Sequence, residues 1–285
     1  MPLVEKAPAK LNLGLRIVGK REDGYHDILS VFQTVGLYDE LTITPSTESG
    51  IECSEPGVPA DRNNLVLKAE DCFKKNIGID DTSHTHFFLK KRIPVGAGLG
   101  GGSSDAAAAL RGLTRFYNVE ISDRVFNTYA EELGSDVFFL IKGGTAVVSG
   151  RGETVTFVQW PFDFTYVIVY PGFGVSTAWA YGAVGECWSD MGDYQPMTEK
   201  LKKGTLEADE FFRALMNDFE PVVFNKYPLL KQIKTDLIKC GARAALLTGS
   251  GSCMTGIFEN EEEAVRCAKI LKNGFAGVYI VKACP

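Results

Sequence analysis

Pro94-Val95-Gly96-Ala97-Gly98-Leu99-Gly100-Gly101-Gly102-Ser103-Ser104-Asp105 is the stretch on which the folding of this chain turns. Five glycines fall within residues 96–102. Glycine carries no Cβ, so the backbone there can take positive φ and pass close to a ligand. Upstream, His86–Ile93 predicts a strand that stops at Pro94. Downstream, Ser103–Tyr117 predicts a helix with Ala107, Leu110 and Leu113 along one side. A glycine loop that opens a helix offers unpaired N–H groups and a positive dipole end, a setting suited to a triphosphate. Ser103 and Ser104 can cap that helix and donate hydroxyls to phosphate. A flexible surface loop before a capped helix is the bland alternative, and the strand–glycine–helix order weighs against it.

Gly96–Gly101 also satisfies G-x-G-x-x-G, but the context is wrong for a dinucleotide fold. Lys90, Lys91 and Arg92 precede the loop, and Pro94 interrupts the passage into it. No clear second parallel strand ends in an acidic residue about twenty positions on. Where a Walker loop has Gly-Lys-Ser/Thr, this one has Gly102-Ser103-Ser104, and the H-R-D of protein kinases is absent.

Outward from the loop, Ala9–Val18 places Leu11, Leu13, Leu15 and Ile17 on one face, which predicts a half-buried strand. Lys20–Tyr25 is a turn with Asp23-Gly24 at its tip. Val31–Leu37 and Glu40–Thr44 predict two more strands, so the chain opens with antiparallel β structure. Helices are predicted over Leu65–Asn76 and Ser122–Leu133, the second capped by Ser122 and stopped by Gly134. Thr145–Val148 and Thr154–Val158 read as a strand pair. After about Trp160 come a strand at Tyr166–Tyr170 and a polar, weakly periodic stretch from Gly182 to Gly204. Helices at Asp209–Met216, Leu229–Cys240 and Glu261–Leu271 follow, with strands at Ala244–Thr248, Met254–Phe258 and Gly277–Val281. Helices laid on antiparallel sheets in each half predict an α+β architecture, with domains 1–158 and 159–285.

Composition agrees with two globular domains: 285 residues, 45% hydrophobic and 23% charged. The net charge of −6, with no basic run beyond Lys90-Lys91-Arg92, argues against a nucleic-acid partner. Seven cysteines, at 53, 72, 187, 240, 253, 267 and 284, include no C-x-x-C pair, so free thiols are expected rather than disulfides or zinc. Glu5, Lys6 and Lys10 break any signal-peptide core in Met1–Leu15, and no apolar stretch is long enough for a membrane span. A cytoplasmic protein is expected. His84 and His86 alternate on a strand without a third ligand and read as surface histidines.

The loop pattern P-x-G-x-G-L-G-x-x-S-S-x-A resembles the phosphate loop of the GHMP kinases. Two further segments fit that family in the same order: Pro8-Ala9-Lys10-Leu11-Asn12-Leu13, and Leu247-Thr248-Gly249-Ser250-Gly251-Ser252-Cys253. Asp23-Gly24-Tyr25-His26, the triple Gly100-Gly101-Gly102 and Gly134-Ser135-Asp136-Val137-Phe138-Phe139 narrow the likeness. They resemble the branch that phosphorylates the 2-hydroxyl of an alcohol carrying a cytidine diphosphate group, in non-mevalonate isoprenoid synthesis. The resemblance implies a two-domain GHMP kinase fold: an N-terminal ribosomal-protein-S5-like domain, a C-terminal ferredoxin-like α/β sandwich and an active site in the cleft between them. It also implies ATP with Mg2+, whose ligands the sequence does not identify, and a small-molecule substrate with no nucleic-acid, membrane or obligate protein partner.

Residue by residue, the resemblance makes Asp136 and Lys10 catalytic, the carboxylate accepting the hydroxyl proton and the cation steadying charge. It assigns Pro94 to Ser104 and Asn64 to ATP, and Asn12, Tyr25, His26, Tyr181, Gly249 and Ser250 to the substrate. Tyr25 would stack on cytosine, His26 would hydrogen-bond its edge and Tyr181 would close the ring's other side. Read locally, Asp136 is an N-cap, Lys10 a solvated strand-edge charge and Asn64 a helix cap; the accompanying motifs reverse the order for the first two. Phe138 stands where such enzymes often carry proline, which could shift local backbone but removes no reacting group. The rival readings are a GHMP kinase of homoserine or mevalonate type and a non-catalytic relative; the latter should lack Lys10 or Asp136, and both are present.

Overall fold

Two long strands open the chain because apolar side chains alternate along Ala9–Val18 and recur from Ile28 to Ile43. In the computed structural model, which describes residues 2–79, 83–185 and 192–285, β1 (Leu3–Lys20) pairs with β2 (His26–Ser46). The turn between them is the expected one: Gly24 takes φ +84°, and the Tyr25 N–H donates to Asp23 Oδ1 at 3.1 Å. The two strands predicted at Val31–Leu37 and Glu40–Thr44 are one. Asp39, between the two predicted segments, is buried and extended, its carboxylate accepting the N–H groups of Arg92 and Ile93.

The chain forms two compact units. The first comprises Met1–Ala9, Leu37–Val95 and Gly100–Gly143; the second comprises Lys10–Gly36, Gly96–Leu99 and Gly144–Pro285. β1 and β2 run through both.

In the first unit follow β3 (Gly50–Cys53), α1 (Leu65–Ile77), β4 (His84–Lys90), α2 (Gly101–Phe116), α3 (Asp123–Leu133) and α4 (Asp136–Lys142). β4 lies antiparallel to β2, from Glu40 opposite Lys90 to Ser46 opposite His84, and parallel to β3. The sequence predicted one buried side for α2; instead every residue from Ser104 to Leu110 is buried. The alanine run explains this, since side chains this small let α1 and α4 pack closely along α2. A Cβ at Gly112 would overlap the Ile43 side chain. α4 was not foreseen, because Val137–Ile141 is an unbroken apolar run that shows no helical period.

In the second unit, β5 (Thr145–Gly150) and β6 (Thr154–Val158) form the expected antiparallel pair, and β5 pairs with β2 from Gln33 opposite Thr145 to Ile28 opposite Gly150. Next come β7 (Thr165–Tyr170), α5 (Thr177–Val184), α6 (Tyr194–Lys203), α7 (Ala208–Ala214), α8 (Glu220–Lys226), α9 (Pro228–Lys239), β8 (Ala244–Leu247), β9 (Met254–Phe258), α10 (Glu261–Leu271) and β10 (Gly277–Lys282). The four strands make an antiparallel sheet in the order β10-β7-β9-β8. Val167, Val169, Met254 and Phe258 meet Leu230, Ile233 and Leu237 of α9 and Ala264 and Cys267 of α10 in one apolar core. α5 and α6 occupy most of what read as a weakly periodic stretch, where three lysines in the last turn of α6 mask a buried face of Tyr194, Met197, Thr198 and Leu201. Cys187 lies outside the described residues; the other six cysteines are free thiols. No helix among the described residues is long and apolar enough to cross a membrane.

β1 is not half-buried as predicted: its residues from Ala7 to Ile17 are buried on both faces. The polar face survives burial because it is hydrogen-bonded or paired, as Arg16 is with Asp218 at 3.6 Å. Gly14 adopts φ +91°, and a Cβ there would overlap the Tyr194 ring. The Tyr194 hydroxyl donates to Leu13 O at 2.9 Å and accepts the Val31 N–H at 3.0 Å, tying α6 to β1 and β2. Tyr194→Phe removes both bonds inside the core, and a loss of about 1–3 kcal/mol is expected in denaturant unfolding. An unchanged midpoint would show that neither bond matters.

Candidate active site

Lys10 sits on β1 in the second unit and is only 6% exposed. Its ammonium donates to Asn12 Oδ1 at 2.6 Å and lies 4.4 Å above the Phe32 ring. Asn12 in turn donates from Nδ2 to Ser30 Oγ at 2.9 Å, and its own N–H donates to Thr248 Oγ1 at 3.0 Å. Thr248 begins the second glycine turn. That turn also packs on the phosphate loop: a Cβ at Gly98, whose φ is +80°, would overlap Thr248 O. The structure therefore brings Lys10, Asn12, Gly98 and Gly249 together, with Asn12 Oδ1 3.3 Å from where a Gly249 Cβ would stand. Ser250 is buried beside them, its hydroxyl 2.9 Å from Thr177 Oγ1.

Within Gly96–Leu99 the side chains and carbonyls have separate tasks. Ala97 and Leu99 are buried anchors. Gly96 O accepts the Val175 N–H at 3.2 Å, Ala97 O the Cys253 N–H at 3.0 Å and Leu99 O the Lys10 N–H at 3.0 Å. With the carbonyls turned to the protein, the chain can present N–H groups outward.

In the first unit, Pro94 and Val95 lead into the loop, Val95 exposed. Gly100 takes φ +70° as the N-cap of α2, and no side chain caps this helix. Gly102 is exposed and Ser103 half-buried, whereas Ser104 is fully buried and donates to Pro8 O at 2.7 Å. Ser103 is thus the better placed of the two hydroxyls for a ligand. Asp136 is the first residue of α4 and half-buried, and a Cβ at Gly134 would stand 3.9 Å from Ser103 Oγ. The turn carrying Asp136 therefore faces the first turn of α2. Asn64 caps α1, accepting the Val66 N–H at 2.9 Å and donating to Pro59 O at 2.7 Å, as its local reading held.

The aromatic residues divide differently from expectation. His26 stacks on Tyr181, centroids 5.0 Å apart and planes at 20°, and Tyr181 meets Phe219 edge-on. Burial, then the charge of Lys20, holds the His26 imidazole below its ordinary range. Tyr25 is 55% exposed, and the Arg151 guanidinium covers one face of its ring at 3.8 Å. His84 lies near Ser49 and His86 near Glu52; among the described residues no group of three or more His, Cys, Asp or Glu could hold a metal ion.

Residues 64–144 match the family model of the GHMP kinases N terminal domain, and residues 198–277 that of GHMP kinases C terminal. The sequence is 40% identical to a 4-diphosphocytidyl-2-C-methyl-D-erythritol kinase of Prosthecochloris aestuarii, over 93% of this chain and 92% of that one. It is 36% identical to one of Bacillus cytotoxicus, over 99% and 97%. The chain belongs to the 4-diphosphocytidyl-2-C-methyl-D-erythritol kinase family of GHMP kinases. The α+β GHMP fold expected from the sequence is borne out, and a crystal structure of a 4-(cytidine 5'-diphospho)-2C-methyl-D-erythritol kinase matches with a TM-score of 0.81 at 32% identity, covering 99% of this chain and 100% of that one. A homoserine kinase from Cytophaga hutchinsonii, at 17% identity, covers 99% and 94% with a TM-score of 0.79 and shares the fold alone.

One element of this GHMP kinase escaped sequence reasoning: a buried charge bridge under α2. The Lys91 ammonium donates to Asp39 Oδ2 at 2.5 Å and to Asp105 Oδ2 at 2.7 Å, with all three side chains within the first unit. Lys91 was legible only as part of a basic run, and Asp105 only as a motif letter. Burial, reinforced by Asp39, pushes the Asp105 carboxyl up to about 8 despite Lys91. The folded chain thus keeps a proton that the unfolded chain releases in the ordinary carboxyl range, so this group's contribution to stability falls as pH rises toward 8. Asp105→Asn lacks that slope. It should melt near the wild type at about pH 5 and increasingly above it by about pH 8. Parallel melting-versus-pH curves would place the proton elsewhere.

Proposed function

We propose that the chain transfers the γ-phosphoryl group of ATP to the 2-hydroxyl of 4-diphosphocytidyl-2-C-methyl-D-erythritol, giving the 2-phosphate and ADP. The observation that carries this reading is identity of 36–40% with kinases named for that substrate, over nearly the whole chain. The product would serve non-mevalonate isoprenoid precursor synthesis.

Phosphoryl transfer asks the protein for positioning, charge neutralisation and a destination for the hydroxyl proton. Asp136 is the proposed acceptor of that proton as the 2-oxygen attacks phosphorus and the bond to ADP breaks. Lys10, held by Asn12, supplies positive charge toward the developing oxyanion. The glycines and Ser103 at the start of α2 offer N–H and hydroxyl donors to the phosphates. GHMP kinases use ATP with a divalent metal, generally magnesium. A magnesium ion arriving with the nucleotide would be ligated largely by phosphate oxygens and would neutralise part of their charge.

For the cytidine group, the exposed ring of Tyr25 is the proposed stacking platform, its far face already taken by Arg151. His26 keeps a neutral imidazole suited to hydrogen-bonding the base edge. Tyr181 is proposed to act through His26, on which it stacks, or to move onto the base when substrate enters. Asn12, Gly249 and Ser250 are assigned to the alcohol.

Asp136→Asn is expected to fold and bind ATP while losing at least about a hundredfold in kcat; near-normal turnover would remove Asp136 from the chemistry. Tyr25→Ala is expected to raise KM for the cytidylyl alcohol about tenfold or more, the loss of one stacked base, with KM for ATP unchanged. An unchanged KM for the alcohol would put the base elsewhere.

A further inference from the structure

The bridge under α2 holds three ionisable groups and room for one unpaired charge. Asp39 accepts three donors: Arg92 N–H at 2.5 Å and Ile93 N–H at 2.8 Å on Oδ1, and Lys91 on Oδ2. Asp105 accepts one, on Oδ2, while its buried Oδ1 has no partner. Asp39 has three donors for its oxygens, whereas Asp105 has one and a buried oxygen without a partner, which makes Asp105 the group that carries a proton. The push of its carboxyl up to about 8 agrees with that assignment.

The position of the bridge gives this proton a consequence. Arg92 and Ile93, clamped by Asp39, are the last residues before the glycine loop, and Asp105 is the fifth residue of the helix that leaves it. A Cβ at Gly101 would stand 3.2 Å from Lys91 Nζ, so the ammonium lies directly beneath the helix's first residue. α2 has no acidic residue in its first turn. From the neighbouring helices come Glu70 of α1, paired with Lys74 at 2.8 Å, and Asp136 of α4; neither bonds to Asp105. The charged groups acting on Asp105 are Lys91 and Asp39.

We propose that Asp105 is a positioning residue for the nucleotide: joined through Lys91 to Asp39, it locks the two ends of the glycine loop, and the loop binds ATP tightly only while this bridge carries no net charge. With one proton the bridge holds one cation and one anion. When Asp105 ionises, a second negative charge appears under the helix end that is to receive phosphates, opposing them and pulling Lys91 away from Asp39. This deepens the proposed ATP site and rests on that reading.

The test is equilibrium binding of magnesium ATP to the full chain, measured by calorimetry from about pH 7 to about pH 9, where a group near 8 titrates. Wild-type Kd is expected to rise about fivefold or more across that range, while Asp105→Asn stays flat near the wild-type value at the lower pH. Melting at each pH confirms that the proteins are folded, and Asp105→Ser replaces the amide if that variant does not fold. A flat wild-type profile, or an equal rise in the neutral variant, overturns the proposal. Binding is read apart from turnover, so ATP binding without phosphorylation of the alcohol would sink the functional reading and leave the bridge standing. No ATP binding at either pH would sink both.

Discussion

The loop at Gly96–Leu99 is pinned by its carbonyls, and much of the second unit is arranged around that constraint. Val175, Cys253 and Lys10 each give a backbone N–H to a different loop carbonyl. A peptide whose oxygen faces inward turns the neighbouring N–H groups the other way, which is what an anion requires. The geometry needs positive φ at Gly96 and Gly98, and at Gly98 the opposing Thr248 carbonyl leaves no space for a side chain. Glycine is fixed there twice over, by dihedral and by contact.

The same economy governs the polar residues of β1. Lys10, Asn12 and Arg16 occupy the face that simple alternation would give to water, yet all three are buried. Their burial is tolerable because each has a partner, and the chain of bonds from Lys10 through Asn12 to Ser30 and Gly14 O orients the first cation of the site. In the first unit the Asp39–Lys91–Asp105 bridge performs a comparable service beneath α2.

Regular elements of ordinary length were legible in the sequence. β1, the β5–β6 pair, α1, α9 and the closing β8–β9–α10–β10 run carry clear periods or turn residues. What failed had physical causes. The joining of two predicted strands into β2 through Asp39 was hidden because the backbone partners of that carboxylate lie more than fifty residues away. α4 is an unbroken apolar run that shows no period, and the surface lysines of α6 obscured its buried face. The site was legible through motifs rather than through local chemistry: no pattern near Lys10 announces that it is buried, and none near Asp105 announces a shared lysine. The stacking of Tyr181 on His26 depends on α5, a helix that no predicted element covered.

The central claim is that this kinase acts on the cytidylyl alcohol rather than on another GHMP substrate. Its most direct test is ATP consumption by the purified protein with 4-diphosphocytidyl-2-C-methyl-D-erythritol, beside homoserine, mevalonate and galactose. Turnover confined to the cytidylyl alcohol is the expected result. Turnover with one of the other alcohols and none with the cytidylyl compound would contradict it.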